Sequence, residues 1–380
     1  MSGATDPRSN HAVVIMAGGT GGHVFPALAV AERLRGQGVE VVWMGTRRGL
    51  EAQVVPAAGI PMEWVTISGL RGKGALSWLL APFKLVVAVG QAVGILRRLR
   101  PRAVLGMGGF VSGPGGLAAW LLRRPLLIHE QNAVAGLTNR LLARLANRVM
   151  EAFPGSLGRG AVLTGNPVRP EIAALPRPEE RFAGRTGRLR LLVLGGSLGA
   201  QALNAVVPAA LARIAAGQRP EVWHQAGSRN IDEARRRYDE AGVEARVVPF
   251  ITDMAAAYGW ADLVLCRAGA LTVAELAAAG VGAILVPFPH AVDDHQTRNA
   301  GYLVQGGAAL LVPQAQLDPQ RLADLFAELG QDRGRLLDMA VAARRLAQPD
   351  AAEQVAALCL TAGTRTDQAG GEQEGRNADR

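Results

Sequence analysis

Two cysteines in 380 residues, Cys266 and Cys359, are too few for a disulfide framework and have no metal-ligand spacing, which suits a reducing compartment. Lysine is nearly absent as well. Only Lys73 and Lys84 accompany the arginines among the 41 basic residues, against 32 acidic ones, and so general an arginine bias says little about function. The stretch MSGATDPRSNHAVVIMAGG carries Asp6 and lacks the basic segment followed by an apolar one that a secretory signal needs, which predicts a cytoplasmic protein. Between Trp64 and His129 there is no acidic residue, yet Arg71, Lys73, Lys84, Arg97, Arg98, Arg100, Arg102, Arg123 and Arg124 all fall there. A block of one sign is a footprint for an anionic partner.

With 49% hydrophobic residues, a chain of this length can bury a sizeable core and is expected to divide into two domains. Apolar, β-branched runs recur at 12–17 (AVVIMA), 39–45 (VEVVWMG), 103–107 (AVLGM), 125–130 (PLLIHE), 188–194 (RLRLLVL), 261–266 (ADLVLC) and 283–288 (AILVPF). Ala-, Leu- and Arg-rich stretches of helical length separate them, which predicts βαβ units with parallel strands covered on both faces. The interval from Glu151 to Gly187 is dense in Pro, Gly and Arg and separates two similar halves. The expected fold class is α/β: two doubly wound, Rossmann-like domains facing one another across a cleft, with ligands at the carboxyl ends of the strands. One domain is placed at 11–165 together with a carboxyl-terminal helix at about 346–362, the other at 166–345. Residues 1–10 and 363–380, polar and Gly-rich, are expected to be disordered tails.

Three glycine-rich turns follow strands. In the first, Gly18-Gly19-Thr20-Gly21-Gly22 precedes a helix with Pro26 near its start. Such a turn lets backbone approach a ligand, and the helix behind it supplies free N–H donors, so it reads as a phosphate or sugar-phosphate contact. A plain strand-to-helix connection needs only one glycine. The turn is not the dinucleotide fingerprint, because Val24 stands where the third glycine belongs, and no P-loop sequence occurs, which weighs against hydride transfer and ATP hydrolysis. The second turn, GMGGFVSGPGG at 106–116, is weak alone. The third, VLGGSLGAQALN at 193–204, contains Gly195-x-Ser197-x-Gly199, which also matches the nucleophile elbow of a hydrolase. His224, His290 or His295 and an acid such as Asp262 would complete that triad, but the first half of the chain would then be left without a role.

Past ADLVLC, the segment from Arg267 to Glu275 enters an Ala-rich helix, with Glu275 in its first or second turn. A carboxylate there either complements the helix dipole or accepts hydrogen bonds from the vicinal hydroxyls of a ribose, whose diphosphate would sit on the amides of Ala270 to Thr272. In VPFPHAVDDHQTRNA, Asp293 and Asp294 read as solvated caps in preference to metal ligands.

The motifs GGTGGHVFP (18–26), GMGGFVSGPGG (106–116), IHEQNAVAGLTNR (128–140), GNPVR (165–169), GGSLGAQALN (195–204) and AGALTVAE (268–275) together resemble the MurG family of bacterial glycosyltransferases. The similarity runs in order from about His11 to Leu360. It implies the GT-B fold and an inverting transfer of N-acetylglucosamine from UDP-GlcNAc to the 4-hydroxyl of the MurNAc unit of lipid I, giving lipid II for peptidoglycan. The resemblance further implies roles in cell shape and division, a peripheral place on the cytoplasmic face of the inner membrane, and association with a cell-wall synthesis complex. Donor contacts fall to Thr20, Gly21, Gly22, Asn132, Arg169, Ser197, Ile251, Gln296 and the run Ala270, Leu271, Thr272, Val273, Ala274 and Glu275. Ser197 would bind diphosphate, Glu275 the ribose, Ile251 the uracil region and Gln296 the sugar hydroxyls. Phe110 stands where a Tyr can occur, Leu198 where Gln is common and His295 where a second Gln can precede Gln296, so a phenol at 110 has no part in the mechanism.

In-line attack on the anomeric carbon needs a base and a sink for charge on departing UDP. His23, at the end of the first strand, is the expected catalytic base; the alternative is a residue that only hydrogen-bonds the acceptor or its loop. Helix amino termini after Gly196 and Gly269, with Arg169 or Arg267 nearby, would stabilise the diphosphate, so no metal and no other cofactor is expected. Residues Ala75 to Leu96, 22 long with Lys84 as the one charge, are expected to meet an anionic membrane surface through about 71–102, with Trp78, Leu79, Leu80 and Phe83 at the headgroup boundary. They also read as a helix of the first domain. Nucleic acid is a poorer partner, since the segment lacks interleaved stacking aromatics. A non-catalytic alternative is a nucleotide-sugar sensor built on the same fold.

Overall fold

The computed structural model describes residues 12–67, 81–196 and 200–374. Among them, a seven-stranded sheet contains β1 (Val13–Met16), β2 (Val41–Gly45), β3 (Met62–Trp64), β4 (Ala103–Gly106), β5 (Leu126–Glu130), β6 (Arg148–Glu151) and β7 (Val162–Leu163), in the order β3-β2-β1-β4-β5-β6-β7. A six-stranded sheet contains β8 (Arg190–Leu194), β9 (Glu221–Gln225), β10 (Arg246–Val248), β11 (Leu263–Cys266), β12 (Gly282–Leu285) and β13 (Ala309–Leu311), in the order β10-β9-β8-β11-β12-β13. Every paired strand is parallel. Chain order reverses between β1 and β4 in one sheet and between β8 and β11 in the other, which makes both doubly wound and marks the point where such sheets bind ligands.

Parallel strands must be covered on both faces, and β1 shows how its four residues do so. Val13 and Ile15 join a core with Val24, Val30 and Leu34 of the helix Gly21–Gly36, whereas Val14 and Met16 join a second core with Ala92 and Leu96 of the helix Ala81–Leu99. In the second sheet, Leu191 and Val193 of β8, Leu263 and Leu265 of β11 and Ile284 of β12 share one core with the helices Gln201–Ala212, Pro319–Gln331 and Arg333–Arg345.

The chain forms two compact units, residues up to Pro167 with those from Asp350 onward, and Val168–Pro349. The seam lies two residues beyond the expected 165. The carboxyl-terminal helix spans Ala351–Glu374 and not 346–362. Pro349 accounts for its late start, because proline disfavours helical geometry in the residue before it. Its backbone stays helical beyond 363, where a disordered tail was expected; extending a helix already docked on a core costs far less than nucleating one. The tail at 1–10 and the expected membrane contacts at Arg71, Lys73, Trp78, Leu79 and Leu80 lie outside the described residues.

Candidate functional sites

In the first unit, β1 runs into the turn Gly18–Gly22 and the helix Gly21–Gly36, whose N-cap is Thr20. Gly19 holds φ at +93°, a region that favours glycine. The fully buried Glu51 organises this loop. Its Oε2 accepts the Gly19 amide at 2.9 Å, and its Oε1 accepts the Thr46 amide at 3.1 Å and the Thr46 hydroxyl at 2.7 Å. A Cβ on Gly18 would stand 2.7 Å from that carboxylate, so glycine is required for the carboxylate to come so close. Thr20, Gly21 and Gly22 therefore begin a helix beside a braced loop at the ligand-binding end of the sheet.

His23 stands in the first turn of this helix, and a Cβ on Gly108, in the loop after β4, would lie 2.6 Å from its Nδ1. The same Nδ1 is 2.8 Å from Gln131 Oε1. Behind it, Gln131 Nε2 is 3.0 Å from His129 Nδ1, and His129 Nε2 is 2.9 Å from Gly165 O. Burial pushes the His129 imidazole down to about 4, so it is neutral at physiological pH. Asn132 follows in the same loop. Glu130 accepts from its amide at 2.9 Å and from its side chain at 3.2 Å, and accepts the Asn139 side chain at 2.8 Å. No local pattern marks His129, Glu130, Gln131 or Glu51 as members of this network; only three-dimensional proximity reveals them.

In the second unit, the helix Ala270–Ala279 follows β11 and has Gly269 as N-cap with no side chain capping it. The first helical bond runs from the Val273 amide to Gly269 O, so the amides of Ala270, Leu271 and Thr272 precede the intrahelical ladder. Val273 is wholly buried, and Ala270 nearly so, which limits them to backbone contacts with a ligand. Glu275 is 5% exposed, its Oε1 lies 2.8 Å from Arg169 Nη2, and its Oε2 accepts the Tyr258 hydroxyl at 3.1 Å. Burial raises the carboxyl above its ordinary value, an effect partly offset by the Arg169 charge and by hydrogen bonds from Arg169 and Tyr258.

Ile251, in the loop after β10, is buried and donates its amide to Gln225 Oε1 at 3.0 Å. Gln296, at the start of the helix His295–Gln305, accepts the Phe288 amide at 2.9 Å through Oε1. Arg267, the alternative to Arg169, has its own protein partners. Its guanidinium is tied to Val286 O at 3.1 Å, Pro287 O at 3.2 Å and Gln314 Oε1 at 2.6 Å, so it braces the loop after β12. Ser197 lies outside the described residues.

Two groups that the hydrolase alternative would call on are engaged elsewhere. Asp262 is 1% exposed and is held by Arg185 and Arg333, each at 2.6 Å, while His224 is buried with its Nδ1 2.9 Å from the Tyr238 hydroxyl. Asp294 is the N-cap residue of the helix His295–Gln305, but its side chain accepts the Thr297 hydroxyl at 2.7 Å and no helix amide. Among the described residues no group of three or more His, Cys, Asp and Glu side chains is placed to hold a metal ion.

The glycosyltransferase family 28 N-terminal domain matches residues 13–151, and the glycosyltransferase family 28 C-terminal domain matches residues 190–355. A UDP-N-acetylglucosamine--N-acetylmuramyl-(pentapeptide) pyrophosphoryl-undecaprenol N-acetylglucosamine transferase of Nitrosococcus oceani is 64% identical over 92% of this chain and 98% of its own length. A protein of the same name from Marinobacter nauticus is 60% identical over 92% of this chain and 97% of its own. The crystal structure of Acinetobacter baumannii MurG superposes with a TM-score of 0.81 at 43% identity, covering 92% of this chain and 99% of that one. With two doubly wound sheets, both family domains in order and relatives this close along nearly the whole length, the chain belongs to glycosyltransferase family 28 and has the GT-B fold.

Proposed function

We propose that this chain transfers N-acetylglucosamine from UDP-GlcNAc to the 4-hydroxyl of the MurNAc unit of lipid I, with inversion, to form lipid II for peptidoglycan. The observation that carries this reading is the helix amino terminus at Ala270–Thr272 beside the Arg169–Glu275 pair, at the switch point of the second sheet. The three amides and Arg169 meet the diphosphate of UDP, and Glu275 accepts from the ribose hydroxyls through lone pairs that its protein partners leave over. Ile251 borders the uracil. Gln296 turns its amide NH₂ toward the sugar, because its Oε1 is engaged by Phe288.

His23 serves as the base. The acceptor oxygen attacks the anomeric carbon as the bond to the diphosphate oxygen breaks, UDP departs with the electron pair, and the hydroxyl proton passes to the imidazole. Charge on the leaving group is met by oriented amides and Arg169, and no metal is assigned a part. Thr20, Gly21, Gly22 and Asn132 line the neighbourhood of that base in the first unit.

A membrane-linked acceptor favours docking on an anionic leaflet, and the helix Ala81–Leu99 supports this. Ala88, Ala92, Ile95 and Leu96 fix one face in the core, while Phe83, Val86 and Val87 are 72%, 70% and 55% exposed on another, beside the exposed Lys84 and Arg97. No described helix is long and apolar enough to cross a membrane, and a helix with one exposed apolar face suits a contact along the membrane surface. Arg98 is spent on Glu63, 2.6 Å away.

The test is transfer of labelled GlcNAc from UDP-GlcNAc to a lipid I analogue by wild type and His23→Ala, with and without EDTA. Label in the lipid fraction that survives EDTA and collapses in the variant supports the reading. UDP-GlcNAc binding without transfer favours the sensor and sinks it.

A further inference from the structure

The proton on His23 is assigned by a chain of hydrogen bonds that starts at two backbone carbonyls. A carbonyl oxygen can only accept, so His129 Nε2, 2.9 Å from Gly165 O, carries the hydrogen and His129 Nδ1 keeps a lone pair. The side-chain nitrogen of Gln131 faces two acceptors, that lone pair at 3.0 Å and the carbonyl of His129 at 3.1 Å. Turning the amide over would set its oxygen against both. Gln131 Oε1 is thereby directed at His23 Nδ1, 2.8 Å away, and an amide oxygen can only accept.

We propose that His129 and Gln131 are positioning residues for glycosyl transfer: together they hold the proton of His23 on Nδ1 and leave the lone pair on Nε2, so that the base is presented in one tautomer before substrate arrives. The inference rests on the reading of His23 as base. Three features make the chain directional. His129 is wholly buried and stays neutral, so it cannot donate from both nitrogens and reverse the amide. Gly108, with φ at +98°, brings bare backbone against the ring on the Nδ1 side, where any side chain would displace it. The Gln131 amide is itself buried at 1% exposure, so water does not compete for its orientation. An imidazole in water, by contrast, prefers its hydrogen on Nε2, which is the wrong nitrogen for a base that uses Nε2. A tautomer held wrongly is costly to catalysis even where the geometry of the site survives.

Long-range 1H–15N spectra of protein labelled at histidine nitrogens read the tautomers directly. In wild type, above neutral pH, His23 is expected with a protonated Nδ1 and a bare Nε2, and His129 with the reverse. Gln131→Leu removes the acceptor. It should return His23 toward the Nε2–H form and lower kcat by about 10- to 100-fold, with KM for UDP-GlcNAc changed by less than about threefold. A wild-type His23 with its hydrogen on Nε2 overturns the proposal, and that spectrum decides the matter even if Gln131→Leu fails to fold. So does an unchanged tautomer and kcat in Gln131→Leu. If the wild-type tautomer is as expected but His23→Ala transfers normally, the base reading fails, and the positioning role with it, while the hydrogen-bond chain stands.

Discussion

Arg169 and Glu275 are joined at 2.8 Å, with the Glu275 side chain 7% exposed and that of Arg169 37% exposed. In the proposed donor site the pair would supply both signs, a cation for phosphate and a carboxylate for ribose. Arg169→Ala removes the more exposed partner. Charge-assisted hydrogen bonds contribute about 1.5 to 3 kcal/mol, so the Kd for UDP-GlcNAc should rise by about 10- to 150-fold in calorimetry. A change below about twofold would take Arg169 out of the donor site.

Glu275→Gln should alter the pH dependence of stability. The carboxyl has a folded value above its unfolded one, about 4.3, so the folded chain holds its proton longer. Stability is then lost as pH rises from the unfolded value through the raised folded one. Relative to wild type, the Tm of Glu275→Gln is expected to climb across that window. A constant difference between the two would remove the desolvation argument.

Acid should loosen both units. His129, lowered to about 4, and His224, lowered to about 3 by burial, bind fewer protons folded than unfolded, where imidazole titrates near 6.5. Their contribution is full above about 6.5 and is lost as pH falls through those lowered values. For His129 the span is worth about 3 kcal/mol. Urea midpoints at neutral and mildly acidic pH measure it. His224→Phe should flatten the acid loss of the second unit, and an unaltered slope would contradict the assignment.

Glu51→Ala would leave the Gly19 and Thr46 amides without their acceptor in a part-buried setting. Each costs about 1 to 3 kcal/mol if nothing replaces it. The loop after β1 should lose definition, with kcat/KM falling by more than about tenfold and faster hydrogen exchange at Gly19. Unchanged exchange there would show that the loop holds its shape without the carboxylate.

Phe83→Ser with Val86→Ser tests the exposed face of the helix Ala81–Leu99. Burying those two side chains in a headgroup region is worth about 1.5 to 3 kcal/mol each, so partitioning to vesicles containing anionic phosphatidylglycerol should drop by about tenfold or more. Tm should hold, because neither side chain is packed on the core. Undiminished vesicle binding would move the docking face elsewhere.

The central strands were legible because they are continuous apolar runs: β1, β4, β5, β8 and β11 all lie within the expected segments, as does β2 toward the edge, and β12 begins one residue before its own. The strands that escaped notice sit toward the edges, where one flank or one face does not need an apolar side chain. β3 is Met-Glu-Trp, β10 is Arg-Val-Val and β9 alternates as Glu-Val-Trp-His-Gln. Site legibility followed a similar line. Glycine turns and a helix amino terminus are local, so Thr20–Gly22 and Ala270–Thr272 could be read from spacing. Glu51, Tyr258 and Gln131 act through partners 32, 17 and 108 residues away, and no local pattern announces them. The partners of Arg267 were equally illegible, since the carbonyls it meets come from another strand's end.

The carboxyl-terminal helix Ala351–Glu374 supplies Val355, Ala356 and Cys359 to the same core as β1 and the helix Gly21–Gly36, and Arg102 reaches back to Leu360 O at 2.9 Å. Thus the second unit is, in chain order, an insertion into the first. A ribosome releases every residue of Val168–Pro349 before it releases the last layer of the first core. The unit begun first is therefore finished last, and a nascent chain halted anywhere before Ala351 exposes an apolar groove that a chaperone would recognise.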